Sequence, residues 1–125
     1  AKYDPRDMAR KTTSMVGGVL WLNRATTFIA AFIRGLADGL PSDKAAKRAY
    51  DQKLKMYHTH FTSVFVSRAT SMCPDRSKVI EKLRFPSEAA GKQQLSKFLG
   101  LMEPLVEEIR ASLDDAGANF PDRIG

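Results

Sequence analysis

A polar side chain buried on an apolar helical face needs a partner, so such positions are where chemistry is first sought. In this 125-residue chain three residues qualify: Trp21, Arg24 and His58. On a helical wheel Trp21, Ala25, Phe28 and Phe32 share one face, with Arg24 at its edge and Asn23, Thr27 and Arg34 on the far side. A guanidinium at that edge either finds an acceptor inside or snorkels to solvent along its own stem. Helical spacing surrounds His58 with Leu54, Phe61 and Phe65, while His60 points away. An imidazole in that setting is either a ligand contact or a core residue bonded to a carbonyl, the commoner fate of a lone histidine. Trp21 offers a flat ring face, or simply core volume.

Other chemistries find little support. No second histidine or carboxylate stands four residues from His58 on its face, so no metal is expected. The acidic residues sit at helix ends or on polar rows such as Glu103, Glu107 and Asp114, which leaves no carboxylate pair placed for acid and base work. Ser63, Ser67 and Ser71 form a row without a base in reach, and no glycine-rich phosphate loop follows a strand. Neither an enzyme nor a bound cofactor is expected.

The chain carries 20 Lys+Arg against 14 Asp+Glu, a net charge of +6. All of that surplus lies in residues 1–60, with 11 basic and 5 acidic residues, where Lys44, Lys47, Arg48, Lys53 and Lys55 crowd one segment. Such a face suits nucleic acid or anionic lipid, and most often is merely solvated. The cations lack the aromatic interleaving of a nucleic-acid platform, so no nucleic acid is expected. One cysteine, Cys73, excludes an internal disulfide and points to a reducing compartment. The start at Ala1 has no methionine and no secretory signal, and reads as a truncation.

The elements that must position these residues are helices. At 43% hydrophobic residues and 27% charged, the chain has material for a core in a single domain spanning 1–125. The longest stretch free of charge, from Thr12 to Asn23, is shorter than a spanning helix requires, so no membrane crossing is expected. The first helix opens at Asp4-Pro5 and runs to about Ala37, where Gly39 and Pro41 end it; Gly17-Gly18 weakens it by about 2 kcal/mol relative to alanine. Ser42 or Asp43 caps a second helix, which continues through Tyr50, Leu54, Tyr57, His58, Phe61 and Phe65 to Cys73-Pro74. A short third helix covers about Ser77 to Leu83. Ser87 and Glu88 start the fourth, whose stripe is Leu95, Phe98, Leu99, Met102, Leu105, Val106, Ile109 and Leu113, with a kink expected at Pro104. Residues from about 118 to 125 form a terminal loop.

At Trp21 and His58 the chain resembles the glycolipid transfer protein superfamily. The segment Trp21-Leu22-Asn23-Arg24 with Phe28 is similar to that family's W-L-x-R-x-x-x-F signature, and Asp38-Gly39 follows at a fitting distance. Ala46, Ala49 and Tyr50, then Lys55, Tyr57 and His58, resemble its A-x-x-A-Y and K-x-Y-H stretches, and Cys73-Pro74 ends the histidine helix. The likeness covers about Val16 to Leu83, and the fourth helix agrees in pattern only.

The resemblance implies an all-α, two-layer helical sandwich that encloses a sphingolipid and moves it between membranes without covalent chemistry, in the cytoplasm and at the cytosolic surface of membranes. It implies that Trp21 stacks on a headgroup sugar, that His58 donates to the ceramide amide carbonyl, and that Arg24 supports the headgroup pocket. Leu54, Phe61, Phe65, Phe98, Met102 and Leu105 would line the hydrocarbon chamber. The family's headgroup centre also uses an aspartate, an asparagine and a lysine on an earlier helix, which nothing ahead of Trp21 supplies; the chain then corresponds to the C-terminal two-thirds of the domain. Where relatives place a membrane-docking tryptophan, this chain has His60, which leaves Phe61 or the basic face for docking. Three readings stay open: a glycosylceramide carrier, favoured by Trp21; a ceramide-phosphate carrier using Arg24; and a helical interaction domain whose Trp21 and His58 are core residues.

Overall fold

The computed structural model describes residues 15–119. Five α-helices follow one another: α1 (Met15–Ala37), α2 (Ser42–Lys53), α3 (His60–Thr70), α4 (Arg76–Lys82) and α5 (Glu88–Asp115), with one 3₁₀ turn at Lys55–Tyr57. Helix α1 is the centre, packed against both α2 and α5; α3 leans on α2, and α4 on α5. The expected start of the first helix at Asp4-Pro5, and Pro121 in the terminal loop, lie outside the described residues.

Two glycines with positive φ set the turns that matter. At the end of α1, Gly39 (φ 92°) lets its own N–H donate to the Leu36 carbonyl and the Leu40 N–H to that of Gly35. This closes the helix in a Schellman motif and tucks Leu40 against the core formed by Leu36, Ala45, Ile80 and Leu95. Gly117 (φ 67°) does the same for α5, with Gly117 N–H donating to Asp114 and Ala118 N–H to Leu113. Ala118 is thereby buried beside Leu20 and Leu113. The start of the expected terminal loop is thus a docked segment.

Several expectations about faces are corrected. On α1 the buried residues are Gly17, Leu20, Asn23, Arg24, Ala30, Gly35 and Leu36, whereas Ala25 is exposed and Trp21, Phe28 and Phe32 are half-buried. Asn23, expected on the far side, is 6% exposed and donates from Nδ2 to the Val106 carbonyl of α5 at 3.1 Å. The wheel was centred on the aromatic residues, but α2 and α5 together cover the smaller ones. Helix α1 continues unbroken past Gly18, and α5 runs through Pro104 from Glu88 to Asp115. Ser87 caps α5 as expected, accepting from Ala90 N–H at 3.1 Å. Helix α2 has Pro41 at its cap position and no side-chain cap; Ser42 lies buried in its first turn.

Among the described residues α1 is the one helix long and apolar enough to cross a bilayer, which the charge-free run did not anticipate. Its buried Asn23 and Arg24, and its contacts with α2 and α5, make it the central helix of this bundle. Its other face, with Val19, Leu22 and Ile29, is exposed beside Phe98 and Leu105 of α5.

The largest correction concerns the second helix, which is two. Helix α2 ends at Lys53, Leu54 and the 3₁₀ turn follow, and His58 has an extended backbone (φ −112°, ψ 146°) before α3 begins at His60. Neither glycine nor proline marks the break. The apolar spacing of the sequence continues across the break, but the structure does not keep its phase: Phe61 and Phe65 are exposed on α3.

Candidate functional site

The break in the helix is what positions His58. The Leu54 N–H donates to the Tyr50 carbonyl, and the 3₁₀ turn closes when Tyr57 N–H reaches Leu54 and His58 N–H reaches Lys55. The chain then folds back, so that His58 Nδ1 lies 2.7 Å from the hydroxyl of Tyr50, which is 1% exposed. Ser63 of α3 stands 3.4 Å from the same hydroxyl. Leu54, Phe61 and Phe65 are therefore not the cage expected for His58. Its neighbour is a buried phenol, and Phe61 and Phe65 are 81% and 70% exposed because α3 restarts with them facing outward.

The His58 ring lines a cleft of about 380 Å³ with Asp51, Lys55, Met56, His60 and Ser63. Partial burial lowers the His58 pKa below its ordinary 6.5, favouring the neutral ring. His60, expected to point away, shares this cleft.

Tyr57, the residue before His58, belongs to a second group. Its ring meets Trp21 edge-on, with centroids 6.2 Å apart and an interplanar angle of 83°. The Arg24 guanidinium lies 3.6 Å from the Tyr57 centroid and 4.5 Å from that of Trp21. It donates to Asn119 Oδ1 at 3.1 Å, across the Gly117 turn. Arg24 is 5% exposed, so the edge position resolves into an interior one, and its charge is held by two ring faces and an amide. Trp21, Arg24 and His58 are thus gathered at one end of the bundle by the consecutive residues Tyr57 and His58. Sequence reasoning missed Tyr50 and Tyr57 as site residues by treating them as core, and missed Asn119 entirely. Tyr50 and Tyr57 stood inside quoted motifs, whereas nothing local marks Asn119.

The expected hydrocarbon chamber also divides. Phe98 lines an apolar cavity of about 390 Å³ between α1, α4 and α5, with Phe28, Phe32, Leu36, Leu83 and Leu95 among its walls. Met102 and Leu105 line a smaller groove of about 120 Å³ against Val19, Leu22 and Ile109. Leu54, Phe61 and Phe65 line neither.

The sequence model of the family described as "Glycolipid transfer protein (GLTP)" matches residues 2–85. The chain belongs to this family. Glycolipid transfer protein 1 of Arabidopsis thaliana is 30% identical over 76 residues, covering 59% of the chain and 38% of that relative. Among solved structures, the apo form of mouse ceramide-1-phosphate transfer protein superposes with a TM-score of 0.84 at 22% identity, covering 91% of this chain and 57% of the other. A variant of Arabidopsis ACD11 (accelerated-cell-death 11) complexed with C12 ceramide-1-phosphate gives 0.81 at 18% identity, with 91% and 58% covered. The all-α fold of the GLTP family is therefore shared well beyond the matched motifs. The chain spans less than two thirds of each of these relatives.

Proposed function

We propose that the chain forms part of a non-enzymatic sphingolipid carrier, with His58 and Trp21 as its headgroup contacts and glycosylceramide as its preferred cargo. The observation that carries this reading is His58, an imidazole held by a buried phenol at the rim of a polar cleft. A hydrogen bond from it to the ceramide amide carbonyl would give a ligand role to a polar group that the core does not need. Trp21 is half-buried and offers an indole ring to the apolar face of a sugar. Arg24 supports that ring from beside it, engaged with Tyr57 and Asn119.

The apolar cavity at Phe28 and Phe98 and the groove at Met102 and Leu105 are suited to hydrocarbon chains. Phe61, Val64 and Phe65 of α3, and Met72 just beyond its end, are exposed and suit transient contact with a membrane surface, with Lys55 and Arg68 nearby in sequence. The mammalian and plant structural neighbours named for ceramide-1-phosphate favour a second reading. A phosphate would then be met by Lys55 and His60 in the His58 cleft, because Arg24 is turned into the ring stack.

Vesicle-to-vesicle transfer of labelled glucosylceramide against labelled ceramide-1-phosphate tests both. Glucosylceramide should move faster, His58→Ala should abolish transfer while keeping most of the helical signal, and Trp21→Ala should lose more than Trp21→Phe. Equal loss in both Trp21 variants would mean that the ring packs and does not stack. Transfer of neither lipid by the full-length parent protein would leave a helical interaction domain.

A further inference from the structure

Which ring nitrogen of His58 carries the proton decides what that residue can recognise. Nδ1 is 2.7 Å from the Tyr50 hydroxyl oxygen, and that hydroxyl has a second neighbour, Ser63 Oγ, at 3.4 Å. A phenol has one proton to give. Given to Nδ1, it makes the 2.7 Å bond, and the imidazole proton sits on Nε2. In the reverse arrangement Nδ1–H donates to the phenol oxygen, and the phenol proton is left with the 3.4 Å contact to Ser63, at the outer edge of hydrogen-bond geometry. The first arrangement puts the stronger donor into the shorter bond and leaves the phenol oxygen to accept from Ser63.

We infer that Tyr50 is a positioning residue that locks His58 in the Nε2–H tautomer, so that the ring offers a donor, not an acceptor, to whatever occupies the cleft. Nδ1 is spent on Tyr50, and any polar contact between His58 and a ligand runs through Nε2. A donor selects an acceptor atom, such as an amide carbonyl oxygen or a phosphate oxygen, and rejects an N–H. The inference rests on the reading of His58 as a ligand contact, although the lock itself is a property of the protein alone. Burial favours the neutral ring in which the two tautomers compete. The other titratable groups around the cleft are Asp51, Lys55 and His60; Asp51 is paired with Lys47 at 3.1 Å.

The chain has two histidines, so ¹⁵N-histidine labelling gives a sparse imidazole spectrum, and His60→Gln assigns it. At pH above the titration, the His58 ring should show the Nε2–H pattern in long-range ¹H–¹⁵N spectra. Tyr50→Phe, which keeps the ring volume, should mix the tautomers and raise the His58 titration midpoint, because the phenol O–H stabilises the neutral ring. Ser63→Ala should leave the tautomer unchanged. An Nδ1–H ring in the unaltered chain, or a tautomer that does not move in Tyr50→Phe, overturns the lock. Should Tyr50→Phe fail to fold, the unaltered and Ser63→Ala spectra still decide, since the reverse arrangement requires Ser63 as acceptor. Binding to vesicles containing glucosylceramide should weaken about three- to tenfold in Tyr50→Phe, as for one neutral hydrogen bond. A shifted tautomer with unchanged binding would uphold the lock and overturn the ligand role of His58.

Discussion

Helices α1 and α2 approach each other closely at Gly35. A methyl group placed there would stand 2.7 Å from Ala45 Cβ and 3.1 Å from Ala45 Cα. Carbon atoms in contact rest about 3.5–4.0 Å apart, so Gly35→Ala requires the helices to separate by about 1 Å. Ala45 cannot swing aside: it is 0% exposed and lies on helix backbone among Leu36, Ile80 and Leu95. Overpacking of this kind costs about 1–3 kcal/mol, and the better helix propensity of alanine offsets about 0.8–1.0 kcal/mol of it. The net expectation is a loss of about 1 kcal/mol, measured by urea unfolding followed by circular dichroism. Adding Ala45→Gly removes the 2.7 Å contact and leaves the 3.1 Å contact with the backbone Cα, so the double variant should be more stable than the sum of its parts by about 0.5–1 kcal/mol. Because Tyr50 lies five residues beyond Ala45 on the same helix, the shift should also loosen its bond to His58 and weaken lipid transfer. A Gly35→Ala chain as stable as the original, or more so, would refute the close approach.

Two further outcomes follow from the site. Arg24→Met removes the cation from the Trp21 and Tyr57 rings and its bond to Asn119; relief of a buried charge offsets part of that loss, leaving a destabilisation of about 1–3 kcal/mol. Trp21 is the single tryptophan, so its emission should shift, and an unchanged spectrum would count against the stack. The folded pKa of His58 lies below 6.5, so its contribution to stability is complete above the unfolded value and is lost as pH falls through the folded one. His58→Gln should flatten that part of the stability curve, and denaturant midpoints measured across this range in both chains check it.

Much of the fold was legible because the fourth stripe and the turn at Gly39 are signals that a chain carries locally. Of the fourth stripe, Leu95, Leu99, Val106 and Leu113 are buried as expected, Met102 and Ile109 are half-buried, and Phe98 and Leu105 are exposed. The break between α2 and α3 was not legible. It brings Tyr50 and His58, eight residues apart, into hydrogen-bond contact, and a single-helix reading of the same stripe satisfies the spacing equally well. Phe61 and Phe65 were misplaced for that reason: once the chain breaks at His58, the phase of α3 is reset and both rings turn outward. Trp21, Arg24 and His58 could be singled out as candidates from residue type and motif, but their partners could not. Asn119 lies 95 residues from Arg24, and only the folded chain brings the two together.

The two positive-φ glycines explain how distant segments meet at one end of α1. Gly39 reverses the chain so that α2 runs back along α1, carrying Tyr50, and after it Tyr57 and His58, toward Trp21 and Arg24. Gly117 reverses the end of α5 so that Ala118 is buried against Leu20 and Asn119 reaches Arg24. Arg24 is the point at which both returns converge, since its guanidinium touches Tyr57 from the first and Asn119 from the second. A buried cation holding two chain reversals and the indole beside them is costly to place in an interior. Its worth lies in geometry, because the planar fork fixes the angle of Trp21 and the approach of Tyr57 at once, and His58 follows Tyr57 directly in the chain.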